Sequence, residues 1–128
     1  MDIVSALFCE GIDLRQVPGP ATRIDLSGVM FSLPAPSAPP VTITPHLVVL
    51  IRCRPEEGGS GVLEVVFRDE AGTEVARNAS PFNVEPGKFT YRLVRGELTY
   101  ETLGTVEAHC RVDQGPTTTV PLTLLPPV

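Results

Sequence analysis

The sequence predicts an all-β chain folded as an antiparallel β-sandwich of about seven to nine strands, with a partly open β-barrel as the alternative. Three observations carry that expectation. Apolar and polar residues alternate with period two in one segment after another, so that one side of each segment suits a core. Fourteen prolines and eleven glycines interrupt the 128 residues and leave little uninterrupted length for helices. Turn residues recur at roughly ten-residue intervals, the spacing of short strands joined by tight connections. The length makes one domain, residues 1–128, and a composition 42% hydrophobic and 20% charged is that of a folded chain.

Taken in order, the first segment is apolar on both sides: Ile3, Leu7 and Cys9 share one face, Val4, Ala6 and Phe8 the other. A strand covered on both faces suits the centre of a sheet. Ile24, Leu26 and Met30 then alternate with Arg23 and Asp25, and Gly28 falls in the inward series, where a bulge or a close backbone approach would suit it. Residues 33–45, LPAPSAPPVTITP, hold five prolines and predict a stiff, exposed crossover between two sheets.

Leu47, Val49, Ile51 and Cys53 form the cleanest inward series, with Val48, Leu50, Arg52 and Arg54 opposite. Leu63, Val65 and Phe67 follow after the turn PEEGGSG, which predicts a β-hairpin. A further turn at Asp69–Gly72 leads to a weaker strand over Thr73–Ala79, continuing a meander. Next, Phe89, Tyr91 and Leu93 are expected inward and Lys88, Thr90 and Arg92 outward, after the turn Glu85-Pro86-Gly87. Leu98 and Tyr100 mark a short strand. Val106, Ala108, Cys110 and Val112 then point in while Thr105, Glu107, His109 and Arg111 point out. After the Asp113-Gln114-Gly115 turn, Val120, Leu122 and Leu124 face inward, and Pro121 marks the last strand as an edge or a bulge. A proline in that strand also makes full barrel closure the poorer fit.

Functional signals are sparse. The longest aliphatic run, Leu47 to Ile51, is far short of the roughly 20 residues of a membrane span. The start has no basic n-region, and Phe8 before Cys9 does not suit a lipobox. Cys9, Cys53 and Cys110 share no CxxC spacing and sit in apolar series, which predicts small buried hydrophobes in a reduced, cytoplasmic protein. His46 and His109 have no metal-ligand spacing, and no nucleophile elbow or phosphate-binding glycine loop is present. No catalytic residue, cofactor or metal is therefore expected. The net charge of −5 argues against nucleic acid as a partner. Seven of the fifteen acids and only two of the ten bases lie between Pro55 and Glu85, so the excess is local.

Two constellations could meet a protein partner or a second copy. Arg52, Arg54, Arg68, Arg92, His109 and Arg111 are all assigned to outward faces, and Glu56, Glu57, Asp69 and Glu70 crowd two turns. The leading expectation is a non-enzymatic protein-interaction or structural module. The alternative is a small-molecule carrier whose inward aromatics, Phe67, Phe89, Tyr91 and Tyr100, line a cavity between sheets.

The order of segments resembles an uncharacterised family of short bacterial β-sandwich proteins. The resemblance rests on ALFCEGIDL, ATRIDLSGVMFSLP, HLVVLIRCR with GVLEVVFRDEAGTEV, and LGTVEAHCRVDQGPTTTVPLTLL, with the turn Asp69, Gly72, Glu74 and the entry Leu103 to Thr105. It implies a β-sandwich and a bacterial, actinobacterial source, and it transfers no functional residue. Nine arginines against the single Lys88 agree with a GC-rich genome. The long proline-rich connection and the acidic hairpin loop depart from the family layout.

Overall fold

Two sheets face each other across a core built from the alternating segments. The computed structural model describes residues 1–128. In chain order the strands are β1 (Asp2–Cys9), β2 (Gly11–Val17), β3 (Ala21–Ser27), β4 (Ser32–Pro34), β5 (Val41–Ile43), β6 (His46–Arg52), β7 (Ser60–Arg68), β8 (Glu74–Asn83), β9 (Phe89–Arg95), β10 (Leu98–Tyr100), β11 (Gly104–Val112) and β12 (Thr118–Leu125). One sheet has the order β1-β6-β9 and the other β4-β12-β11-β7-β8, with two-stranded ribbons β10-β5 and β2-β3 beside them. All pairs are antiparallel except β12 with β4. The result is an all-β sandwich without a closed barrel. No helix is long and apolar enough to cross a membrane.

The inward series meet in a cluster of 23 buried residues, among them Phe8, Leu47, Ile51, Leu63, Phe67, Leu98 and Leu122. Each such side chain contributes about 1.5–3 kcal/mol on full burial, so this apolar layer is what offsets chain entropy. No charged side chain is buried in it. Tyr100 brings its own partner, donating from its hydroxyl to the Leu122 carbonyl at 2.8 Å.

Several expectations need correction. β6 and β7 do not form a hairpin: β6 pairs with β1 and β9, while β7 pairs with β11 and β8. The intervening loop crosses between sheets, anchored where Cys53 N–H donates to Lys88 O and Val84 N–H donates to Gly59 O. Any side chain at residue 59 would collide with the Val84 carbonyl, so this close approach needs the glycine. Alternation identifies the buried face of a strand and carries no information about its neighbour, which is why the meander failed beyond β7-β8.

The phase of β9 is inverted. Val94, opposite Leu47, and Arg92, opposite Val49, lie on the core side; Phe89, Tyr91 and Leu93 point away from it, opposite Arg52, Leu50 and Val48. β1 flanks β6 instead of occupying the sheet centre. A register shift between Ile3 and Ser5 leaves Val4 bulged and 62% exposed, and turns Ile3, Ala6 and Phe8 inward. β8 is longer than expected at ten residues. Pro121 precedes the stretch Thr123–Leu125 that pairs with β4, so it occupies the uncovered edge of β12. The proline-rich segment does link the two sheets, but it is partly built in: β4 and β5 belong to it, and Ala35 and Ile43 are buried.

Candidate interaction surface

The outer face of β1-β6-β9 is assembled from cross-strand rows. Leu7, Val48 and Leu93 form one row and Ser5, Leu50 and Tyr91 the next; Asp2, Arg52 and Phe89 lie at one end, Cys9, His46 and Arg95 at the other. Phe89 is 58% and Leu93 45% exposed, while Val48 between Leu7 and Leu93 is buried. A shallow hollow of about 420 Å³ lined by Val4, Leu50, Arg52, Gly87, Lys88 and Phe89 lies at the Arg52 end. An apolar strip with a basic rim results, exposed at Phe89 and Leu93 and closed at Val48 and Cys9.

The six residues of the expected basic face do not share one surface. Arg52 and Arg54 belong to the β6 end, where Arg54 Nε donates to Asp2 at 3.0 Å. Arg68, His109 and Arg111 lie on the outer face of the five-stranded sheet, paired across strands with Glu107, Val66 and Glu64. There Arg111 and Arg77 approach Glu64 at 3.4 and 3.1 Å, and His109 Nδ1 lies 3.3 Å from the Thr119 hydroxyl. Most charges on that face are paired, each exposed pair contributing about 0.2–1 kcal/mol, while Arg68 donates to the Gly72 carbonyl at 3.1 Å. Arg92, expected outward, is the exception: at the sandwich rim it donates to the Pro81 carbonyl at 2.6 Å and lies over the Phe82 ring.

The acidic turns sit at opposite ends of β7, and most of their carboxylates hold backbone. Glu57 accepts from the Met1 amino group and from Arg54 N–H, and the amino-group contact holds its carboxyl below the usual range. Asp69 accepts from Ala71 N–H and Thr73 N–H at 3.0 and 2.9 Å, closing its own turn. Glu70 accepts from Thr105 N–H at 2.7 Å and ties that turn to β11. A cleft of about 510 Å³ opens there, lined by Asp69, Glu70, Thr73, Tyr100, Glu101 and Thr105 among others. Glu56 remains an exposed residue of its loop.

The four aromatics named for a ligand cavity divide. Phe67 and Tyr100 are buried in the core; Phe89 and Tyr91 belong to the outer strip. One pairing escaped the sequence reading: Cys9 faces His46 directly across β1-β6. Burial pushes the Cys9 thiol up, opposite to the shift that activates a nucleophile.

Sequence reasoning found the alternation of β3 but missed β2 and the arm that the two strands form. Its pairing runs without slip from Phe8–Met30 through Gly11–Ser27 to Val17–Ala21, and it turns at Pro18-Gly19-Pro20. Ile12, Leu14, Ile24 and Leu26 form one side; Asp13, Arg15, Arg23 and Asp25 form the other, with Arg15 donating to Asp25 at 2.6 Å. The alternation Ile12/Leu14 was the available signal, masked by a short, charged stretch. The arm's strands pack chiefly on each other, with Leu14 exposed and Ile12, Ile24 and Leu26 half-buried. No protein-family model, curated protein or solved structure matches this chain.

Proposed function

We propose that this chain is a non-enzymatic protein-interaction module whose docking surface is the outer face of β1-β6-β9. The observation that carries the reading is the orientation of β9, which sends Phe89, Tyr91 and Leu93 outward and Arg92 inward. A strand normally buries its more apolar side. Reversing that choice leaves Phe89 and Leu93 exposed and Tyr91 half-buried, each exposed side chain forgoing part of the roughly 1.5–3 kcal/mol that full burial contributes. Single exposed leucines are ordinary, but a contiguous strip with a basic rim marks a contact site. The histidines support binding over catalysis, because His46 and His109 belong to the outer faces of different sheets and cannot converge on one substrate.

A photoreactive amino acid replacing Leu93 and, separately, Val62 on the other sheet tests this in the cell of origin. Both positions are exposed. Protein adducts from position 93 and none from position 62 are the expected result. Equal yields, or none from 93, would overturn the reading.

A further inference from the structure

Resting on that docking surface, we infer that its occupant is the β2-β3 arm of a second copy of the chain, exchanged reciprocally in a twofold dimer. The arm carries the matching surface. Ile12, Leu14, Ile24 and Leu26 make an apolar ribbon face, and Leu14 is 49% exposed. An isolated two-stranded ribbon is marginal in water, so an arm whose apolar side is only half-covered gains from a surface to lie on.

Its own sheet cannot provide one. Past a bend at Glu10 and a left-handed Gly28 the arm keeps the register of the isolated Phe8–Met30 bridge, so its apolar side follows from the side on which Phe8 faces the core. The strip of Leu7, Val48, Leu50, Tyr91 and Leu93, exposed at Leu93, is on the opposite side of the same sheet. Strand geometry therefore keeps the two apart within one copy and leaves both free to meet between copies.

Dimensions and charge agree. β2, β3, β6 and β9 are all seven residues long. A ribbon of that length measures about 23 Å by 10 Å, fitting along two strands of the face. Glu10, on the apolar side at the arm's base, has no ion-pair partner, and neither have Arg52 and Arg95 at the two ends of the strip. Area decides between one contact and two. One arm on one face covers about 230 Å² on each partner, on the order of 500 Å² in all, which is the scale of a crystal contact. Reciprocal exchange doubles this to about 1,000 Å², the threshold of a specific interface and the size of a weak dimer.

The test uses the full chain. Light scattering coupled to size exclusion should give twice the 13.7 kDa chain mass. Leu14→Asp on the arm and Leu93→Asp on the face should each weaken the dimer at least about tenfold, an ordinary effect for an interface anchor. Both residues are exposed, and an unchanged urea transition at low concentration verifies folding. A photoreactive group at position 14 should cross-link to residues 46–52 or 89–95 of the other copy, recognised as intermolecular in a mixture of isotopically light and heavy chains. A wild-type monomer, a Leu14→Asp protein that stays dimeric, or arm-to-arm cross-links would each overturn the exchange. Adducts from position 93 to a different protein would overturn it as well while sparing the docking surface. Absence of any adduct from position 93 would remove both.

Discussion

At the residue scale, burial decides the chemistry of the thiols and of Tyr100. Desolvation in the core pushes the Cys110 thiol up to about 12 and raises the Tyr100 hydroxyl in the same direction. A group with a raised folded value contributes stability that is complete below its unfolded value and lost as pH rises toward the folded one. Above about pH 9 the unfolded chain therefore releases the Cys110 proton first, and stability falls by up to about 1 kcal/mol per pH unit. Urea titrations between pH 7 and 11 should show that decline, and Cys110→Ala should flatten it; an unchanged slope would contradict the burial. Tyr100→Phe should cost about 1 kcal/mol at neutral pH, because the Leu122 carbonyl loses a donor. Alternation already placed Cys110 and Tyr100 inward. Their solvation and the Leu122 partner depended on the opposing strands, which no local pattern encodes.

At the scale of the element, β9 and the arm are the informative cases. Inversion of β9 predicts unequal costs for adjacent truncations: Val94→Ala should lose about 2 kcal/mol and Leu93→Ala less than about 1, measured by urea unfolding. The reverse ranking would restore the phase suggested by the sequence. That phase misled because Phe89, Tyr91 and Leu93 outweigh Thr90, Arg92 and Val94 in hydrophobicity, and local pattern assumes that only the fold's own core competes for apolar side chains. For the arm, hydrogen exchange in the Leu93→Asp protein should show amides of residues 11–27 opening at least about 100-fold faster than those of β6 and β11. Equal protection would mean that the arm packs on its own sandwich. β11, by contrast, was legible throughout: its inward Val106, Ala108, Cys110 and Val112 are all buried, since its neighbours β7 and β12 leave it one core face.

Across the whole molecule, stability rests on apolar burial and little on charge. Seven of the eight ion pairs join exposed or half-exposed groups, and the core holds no charged side chain. Raising sodium chloride to about 0.5 M should therefore shift the thermal midpoint of the Leu93→Asp protein by less than about 3 °C, because screening acts on pairs that contribute little. A large drop would relocate stability to the surface network. The candidate site was only partly legible. The basic residues of the expected face are dispersed over two outer sheets and the rim, and of the acids at the turns Glu57, Asp69 and Glu70 are engaged by nearby backbone while Glu56 is exposed. By itself the sequence determined the all-β class, the turns at Asp69–Gly72, Glu85–Gly87 and Asp113–Gly115, and the buried faces of β6, β7, β10, β11 and β12, because alternation and turn chemistry act within a few residues. Only the tertiary structure decided strand partners, the phase of β9 and the pairing of β2 with β3. Those depend on which surfaces meet through long-range packing, and a strand carries its period without naming its neighbour.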